Sequence, residues 1–223
     1  MSVVVPLLGP PGVGKSTLAI RLGAAAGCVV FRLREQVPAA RLEAAGSAGA
    51  LGWMDEATVA TALDRYLAEI TRAGAARCVV FDNFPGTPSQ VVLLLGRLAA
   101  HAPASTVVPV ELSVDAVTLR RRAVQRRVCH RCERDPAHDP RLPAQPSLAD
   151  RQRCGRCGGV LHPRRGDAPS LLAARLRRYR DQAAAVRGAF RAAGIAVGSC
   201  DCAASVEETA AALTALIAAR STS

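Results

Sequence analysis

Lysine is almost absent from this chain of 223 residues, in which Lys15 stands alone beside 28 arginines. Long apolar runs are absent as well: no stretch approaches the roughly 18 uninterrupted apolar residues of a membrane-spanning helix, so no such helix is predicted. The first apolar segment begins at the N-terminus and leaves no room for a signal peptide. We therefore expect a cytoplasmic protein that has no membrane partner.

Aromatic residues are scarce at 3 %, and none lies between Phe84 and Tyr179. Proteins that hold single-stranded nucleic acid commonly stack its bases on aromatic side chains. The long aromatic-free stretch therefore argues against a nucleic acid partner. Half of the residues are apolar, which is enough to form the core of one domain with an insertion.

The single lysine lies in a complete phosphate-binding motif, G-x-x-x-x-G-K-[ST]. In this motif backbone N–H groups and a helix N-terminus cradle phosphates, while the lysine reaches the outer phosphates as a point charge. An ordinary glycine-rich turn is the alternative, but an apolar run precedes the motif and a helical pattern follows it, as the motif requires. The predicted ATP-binding residues are Gly9, Pro10, Pro11, Gly12, Val13, Gly14, Lys15, Ser16 and Thr17.

Strand and helix patterns alternate along the chain. Apolar runs predict strands over 3–8, 28–31, 78–81, 106–112 and 194–197. Helical spacing predicts helices over 16–26, 55–70, 89–101, 114–127 and 205–219. This alternation predicts an α/β P-loop fold of three layers, in which helices cover both faces of a parallel five-stranded sheet.

An acidic residue follows the third predicted strand. Asp82 lies directly after the buried run 78–81, and an acid at this place in a phosphate-loop protein holds Mg²⁺, directly or through water. An aspartate after an apolar strand is also a common turn residue. We predict the magnesium role for Asp82, because the phosphate loop lies upstream of it.

The alternation stops between 127 and 169, where cysteine, proline and glycine are frequent. Two C-x-x-C pairs with 21 residues between them occur here: Cys129, Cys132, Cys154 and Cys157. This spacing is typical of a tetrahedral four-cysteine site that holds one structural Zn²⁺. Disulfides are the alternative, although a cytoplasmic setting keeps thiols reduced. Three histidines lie near enough to substitute as ligands: His130, His138 and His162.

Positive charge is concentrated around these cysteines. Positions 120 to 165 hold 13 arginines and four acidic residues, and therefore +9 of the chain's net charge of +11. A patch of this density attracts polyphosphates or nucleic acid. For any single arginine, a solvated surface position is the plainer alternative.

Together these motifs resemble the adenylate kinases with a zinc-bearing lid, in the nucleoside monophosphate kinase family, over nearly the whole chain. Residues 82–90 resemble D-G-F-P-R-T-x-x-Q, whose glutamine, here Gln90, binds the adenine of the acceptor. Residues 122–127 resemble R-x-x-G-R-R, residues 157–167 resemble C-G-G…R-x-D-D, and residues 175–179 match R-L-x-x-Y. By this resemblance, the phosphate-clamping and catalytic residues are Lys15, Arg122, Arg126, Arg164 and Arg175.

The resemblance implies a reaction and a domain organisation. It implies a monomer that uses Mg²⁺ with ATP and transfers a phosphoryl group to a nucleoside monophosphate, AMP being favoured because Gln90 is kept. An acceptor phosphate is already ionised at neutral pH, so charge neutralisation and positioning suffice without a general base. The implied regions are a core (1–31, 73–127 and 167–223), a monophosphate-binding segment (32–72) and a zinc-binding lid (128–166).

The sequence departs from the family mainly in the acceptor half. Gly86 stands where the family has an arginine for the acceptor phosphate, and residues 32–35 replace S-T-G-D. Arg34, or alternatively Arg32, is our candidate for the missing guanidinium. Ser16 replaces a glycine of the family's phosphate loop and could bind magnesium directly. The alternative function is a nucleotide-binding protein with little turnover, whose basic lid binds nucleic acid or a protein.

Overall fold

The structure is a computed structural model that describes residues 1–38, 40–41, 54–133, 140 and 142–221. The strands in this part of the chain are β1 (Val3–Leu8), β2 (Cys28–Phe31), β3 (Cys78–Asp82), β4 (Thr106–Val107), β5 (Val110–Ser113), β6 (Arg127–Val128), β7 (His162–Pro163) and β8 (Gly198–Asp201). The α-helices are α1 (Lys15–Gly23), α2 (Glu56–Ala73), α3 (Pro88–His101), α4 (Ala116–Gln125), α5 (Pro169–Ala192) and α6 (Val206–Ser221). Much of the predicted monophosphate-binding segment, and His138, lie outside the described residues.

A parallel sheet forms the centre of the fold, with strand order β2-β3-β1-β5-β8 and β4 also paired to β1. In such a sheet, the segments that follow the strands meet at the carboxyl edge, where ligands bind. Leu7 pairs with Asp82, and Phe31 pairs with Phe81. This register brings the phosphate loop, Arg32 and Asp82 to the same edge.

Helices cover both faces of the sheet, as predicted. On one face, Leu18 of α1 and Leu213 of α6 belong to one buried cluster with β1 and β5. On the other face, Leu63 of α2 and Leu94 of α3 pack with β2 and β3, and Phe190 of α5 packs beside β1. Each such burial contributes about 1.5–3 kcal/mol, and together they fix a three-layer α/β fold.

Two strand predictions need correction. The predicted strand 106–112 is divided into β4 and β5, and Pro109, which has no N–H to donate to a ladder, lies between them. The predicted strand 194–197 is wrong: Gly194 has a left-handed φ of 74° just after α5, and the strand begins later, at Gly198. Small residues such as Gly198 and Ser199 hid this strand, because they give no apolar signal.

A second, smaller sheet joins the cysteine-rich insertion to the core. Strands β6 and β7 pair antiparallel at its two ends, and isolated bridges link Pro146 to Cys154 and Arg153 to Val160 inside it. We call residues 128–166 the lid; this region is the zinc-ribbon-like insertion that the sequence predicts, whereas the domain boundaries stay predictions. Among the described helices, none is both long and apolar enough to cross a bilayer.

Candidate functional site

The phosphate loop connects β1 to α1 and encloses the side chain of Lys15. The lysine is only 8 % exposed, and its Nζ donates hydrogen bonds to the carbonyl oxygens of Gly9 (2.6 Å) and Pro10 (2.9 Å). Burial lowers the pKa of Lys15 to about 7; Asp82 opposes this shift, whereas Arg175 and Arg126 add to it. The loop thus holds a cation whose charged form a polyphosphate would stabilise.

Two glycines of the loop are required by its shape. Gly9 has a φ of +135°, and a Cβ there would lie 2.6 Å from the carbonyl oxygen of Leu112 on β5. Gly14 has a φ of +115° at the N-cap of α1, although the space around it is open. Backbone conformations of this kind favour glycine, so the motif's glycines follow from the turn that exposes the helix N-terminus.

Asp82, at the end of β3, lies between two donors. The hydroxyl of Ser16 donates to Asp82 Oδ1 at 3.1 Å, and Arg32 Nε donates to Oδ2 at 3.1 Å. Ser16 and Asp82 are therefore together, as a shared magnesium role requires. The sequence did not predict the contact with Arg32, which also pairs with Glu35 at 3.4 Å.

Three arginines converge on Asp167, whose side chain is 3 % exposed. Arg126 donates from Nε and Nη2 to its two carboxylate oxygens, each at 2.6 Å. The Nη1 atoms of Arg164 and Arg175 lie 3.7 and 3.6 Å from Asp167 Oδ1. Arg164 and Arg175 donate instead to the backbone carbonyls of Pro140 (3.1 Å) and Gly166 (2.8 Å). Burial, followed by the charge of Arg164, lowers the pKa of Arg175 to about 10. Three guanidinium groups thus surround one carboxylate and leave an excess of positive charge near Lys15.

Arg122, the remaining predicted catalytic arginine, has different partners. It donates to the carbonyl oxygens of Val13 in the phosphate loop (3.1 Å) and Cys202 after β8 (2.6 Å). The guanidinium therefore connects α4 to the loop and to the last strand. Of the four predicted arginines, Arg122 lies against the phosphate loop itself, whereas the other three surround Asp167.

The acceptor-side residues lie at the end of β3 and after β2. Gln90, at the start of α3, is 8 % exposed, and its Oε1 accepts a hydrogen bond from the N–H of Gly86 at 2.8 Å. Arg34 is half-buried in the short 3₁₀ helix Leu33–Gln36. Burial, and then the nearby charge of Arg34, lower the pKa of Arg178 on α5. The structure thus places Gln90 beside Gly86, and Arg34 near Arg178.

The four lid cysteines form one cluster. Their Sγ atoms all lie within 4.8 Å of one another, with Cys129 and Cys157 at 3.4 Å and Cys132 and Cys154 at 3.6 Å. A tetrahedral ion with bonds of about 2.3 Å needs sulfur atoms about 3.8 Å apart, so the cluster could hold a metal. The N–H groups of Arg156 and Cys157 lower the pKa of Cys154 to about 7, which favours a thiolate.

One polar group near the site was not predicted from the sequence. Glu111, on β5, accepts hydrogen bonds from Tyr179 Oη (2.5 Å) and Arg187 Nη1 (2.7 Å), both on α5. Burial and this carboxylate raise the pKa of Tyr179. The sequence signal that could have indicated this group is the presence of an acidic residue, Glu111, inside the apolar run 106–112.

A family model described as an AAA domain matches residues 4–138, more than half of the chain. This match covers the phosphate loop, Asp82 and the arginines of α4. The fold and this site therefore define a phosphate-loop protein of the AAA-domain class.

Three bacterial adenylate kinases are similar over most of their length. That of Symbiobacterium thermophilum is 30% identical over 197 residues, covering 85% of this chain and 87% of the relative. That of Salinispora tropica is 33% identical over 190 residues (80% and 81%), and that of Sphingopyxis alaskensis is 30% identical over 205 residues (87% and 89%). The chain belongs to the adenylate kinase family.

Proposed function

We propose that this protein transfers the terminal phosphoryl group of ATP to a nucleoside monophosphate, with AMP as the acceptor. The observation that carries the proposal is the convergence of Arg126, Arg164 and Arg175 on Asp167, with Arg126 and Arg175 close enough to Lys15 to lower its pKa. A purely structural ion pair needs one arginine for one carboxylate. Three suit a site that must neutralise phosphates.

The chemistry needs no general base. An ionised oxygen of the acceptor phosphate attacks the γ-phosphorus, the bond to the β–γ bridging oxygen breaks, and ADP leaves; with AMP, both products are ADP. The barrier falls when donors and cations surround the phosphoryl oxygens in fixed positions and water is excluded. In our proposal, Lys15 binds the outer phosphates of ATP, and the three arginines around Asp167, together with Arg122, neutralise and orient the transferring group.

Ser16 and Asp82 are the residues that would hold Mg²⁺ with ATP. Both offer the oxygen ligands that magnesium prefers, and their hydrogen bond of 3.1 Å shows that the two groups can meet. Held by these residues, Mg²⁺ would supply positive charge to the β- and γ-phosphate oxygens.

We propose Zn²⁺ for the four-cysteine cluster, as one structural ion per chain. Four sulfur ligands without an open position fit a structural zinc site, and in the described part of the lid the buried apolar cluster is the small one around Leu161. Such an ion would fix the segment that carries Arg164 to the segment that carries Arg126. Reduced thiols suit the cytoplasm, which we propose as the location of a monomeric enzyme.

AMP is proposed because Gln90 matches the adenine-binding glutamine of the family's motif, and the geometry of Gln90 is compatible with that role. Its Oε1 is already bonded to the N–H of Gly86, so the amide nitrogen remains to donate to a base. Adenine offers ring nitrogens that accept such a hydrogen bond. The hydrogen bond that orients Gln90 uses the backbone N–H of residue 86, so it does not require an arginine side chain at that position.

A second candidate is a nucleotide-binding protein whose lid contacts nucleic acid or a protein. It is favoured by the lid arginines that are exposed to solvent, Arg131, Arg151, Arg153 and Arg156. Binding through such residues would weaken steeply as salt rises.

The deciding experiment is ADP formation by zinc-replete protein with Mg-ATP, alone and with each of AMP, CMP, GMP, UMP and the deoxy forms. We expect AMP-dependent ADP at about 1 per second or faster. Dependence on another monophosphate would correct the acceptor. No dependence on any acceptor, together with salt-sensitive binding of DNA or RNA, would favour the second candidate.

A further inference from the structure

We propose that Arg32, held in position by Asp82, is a phosphate-binding residue of this site and binds a phosphoryl oxygen of the acceptor monophosphate or of ATP. The inference rests on the proposed function. It selects Arg32 over Arg34, and it gives Asp82 a positioning role besides its proposed magnesium role.

The position of Arg32 follows from the sheet. Strands β2 and β3 are parallel neighbours with Phe31 opposite Phe81, so the residues that follow, Arg32 and Asp82, leave the sheet side by side. Arg32 Nε donates to Asp82 Oδ2 at 3.1 Å, and the Asp82 side chain is 4 % exposed. Asp82 also accepts a hydrogen bond from Ser16 of the phosphate loop, so this single carboxylate connects the Arg32 guanidinium to the loop.

One donor of Arg32 has no partner. Nε is bonded to Asp82 and Nη1 to Glu35, whereas Nη2 is buried and donates to no acceptor among the described residues. A buried donor without an acceptor costs about 1–3 kcal/mol, and more when it is charged. Two nitrogens of the Arg32 guanidinium are thus held by carboxylates, and the third nitrogen, Nη2, remains to donate to an anion that arrives with the substrate.

The surroundings of Arg32 fit a phosphate. Arg32 lines a cleft of about 380 Å³ together with Ser16 of the phosphate loop, Ile20 of α1 and lid residues that include Arg156. The Arg32 side chain is 17 % exposed, so its charge is poorly screened by water. A guanidinium matches phosphate oxygens in shape and charge.

The proposed magnesium role of Asp82 does not by itself explain why Asp82 is paired with Arg32. Its two oxygens have different partners: Oδ1 accepts from Ser16, on the side of the proposed magnesium site, whereas Oδ2 accepts from Arg32. As the anchor of Arg32, in contrast, Asp82 fixes a donor next to Ser16. The phosphoryl oxygen that Nη2 would bind belongs either to the acceptor monophosphate or to ATP.

The test compares Arg32→Ala, Arg32→Lys and Arg34→Ala by steady-state kinetics, with AMP and Mg-ATP varied separately. Arg21→Ala is the matched control, because Arg21 is exposed and pairs with Glu207 away from the site. We expect Arg32→Ala to raise one KM by roughly 10- to 100-fold, as for a lost charge-assisted hydrogen bond. Arg32→Lys should recover part of the loss, and Arg34→Ala and Arg21→Ala should change each KM by less than about threefold.

The two sources of the phosphoryl oxygen give different results. A higher KM for AMP places Arg32 on the acceptor phosphate, and a higher KM for Mg-ATP places it on the donor. Unchanged KM values for both, in an Arg32→Ala protein with wild-type thermal unfolding, would overturn the proposal, as would a larger effect of Arg34→Ala. If Arg32→Ala is unstable, the charge-keeping Arg32→Lys decides: it must still raise one KM at least threefold, because lysine lacks the planar fork.

Failure of the proposed kinase function can be distinguished from failure of the proposal for Arg32. If the wild-type protein forms no acceptor-dependent ADP, the kinase proposal fails. Calorimetric Kd values for Mg-ATP, in wild type and Arg32→Ala, then decide the role of Arg32. A Kd raised tenfold or more supports phosphate binding by Arg32, and an equal Kd overturns it.

Discussion

The proposed donor half and the proposed acceptor half of the site are built in different ways. In the donor half, backbone groups of the phosphate loop surround Lys15, and three arginines lie around Asp167. In the acceptor half, Asp82 holds Arg32, and Gly86 holds Gln90. The donor half thus keeps the family's motif, whereas the acceptor half reaches its geometry with other side chains. The three arginines around Asp167 come from the end of α4, the lid and α5, whereas Arg32 and Gln90 lie in the segments after β2 and β3, so different parts of the chain carry the two sets.

The largest effect is expected for Lys15→Ala. Loss of the only cation inside the loop should lower kcat/KM for Mg-ATP by about 10³-fold, within the range for removing one transition-state donor. The Kd of AMP should stay within about threefold, since Lys15 belongs to the donor half. Because the carbonyl oxygens of Gly9 and Pro10 lose their donor in this mutant, thermal unfolding is measured beside the kinetics. An equal loss in AMP binding would break the division into halves.

A large effect is also expected for Cys154→Ser. The mutant should lose the bound metal, about one ion per chain, and kcat should fall by roughly 10- to 100-fold, because small displacements of Arg126 and Arg164 are costly. The measurement is elemental analysis with steady-state kinetics.

Cys200→Ser is the matched control for the metal site, since Cys200 is buried in β8, outside the lid. It should keep the metal. Wild-type protein that contains no metal after purification in zinc-containing medium would contradict the zinc proposal.

A smaller, opposite effect is expected for Gly86→Arg. A Cβ at Gly86 would lie 3.5 Å from Gln90 Oε1, an ordinary contact, so the larger side chain can be accommodated. An added guanidinium should lower KM for AMP by roughly tenfold. Gly96→Arg adds the same charge on α3, where the space is open, and should leave KM unchanged. If Gly86→Arg has no effect, the acceptor phosphate does not lie beside position 86.

The smallest expected effect is the uptake of a proton by the protein when Mg-ATP binds. The pKa of Lys15 is lowered to about 7 in the nucleotide-free protein, and bound phosphates should raise it. At pH 8, Lys15 is therefore mostly neutral before binding and charged after it, so Mg-ATP binding should take up close to one proton. At pH 6 the uptake should be near zero. Calorimetry in two buffers of different ionisation enthalpy measures it, and binding of AMP alone should show no uptake at Lys15.

Local patterns made most of the fold and the donor site predictable. The phosphate loop, the four cysteines and five of the described helices are encoded in short motifs and in periodic apolar spacing, and the structure bears out the fold and the cysteine cluster. Apolar spacing did not predict the long helix α5. The strand over 198–201 was missed because its residues are small, so apolar content misplaced it at 194–197. Propensity cannot show a strand whose stability comes from pairing with β5.

Contacts across the sheet were not predictable in the same way. The pair Arg32–Asp82 requires knowing that β2 lies beside β3 with Phe31 opposite Phe81. Similarly, Glu111 meets Tyr179 and Arg187 only because α5 crosses the end of β5. Such pairs are far apart in sequence and leave no periodic trace, so a single sequence left the choice between Arg32 and Arg34 open.

The solitary Lys15 also makes this protein unusually easy to observe. A sample produced with lysine carrying ¹³C at its ε-carbon would give one labelled side-chain signal, because the chain has no other lysine. That methylene group lies next to the Nζ that is bonded to Gly9 and Pro10. Exchange of those carbonyl partners for phosphate oxygens would shift the signal, so its position would report nucleotide occupancy in solution without any resonance assignment.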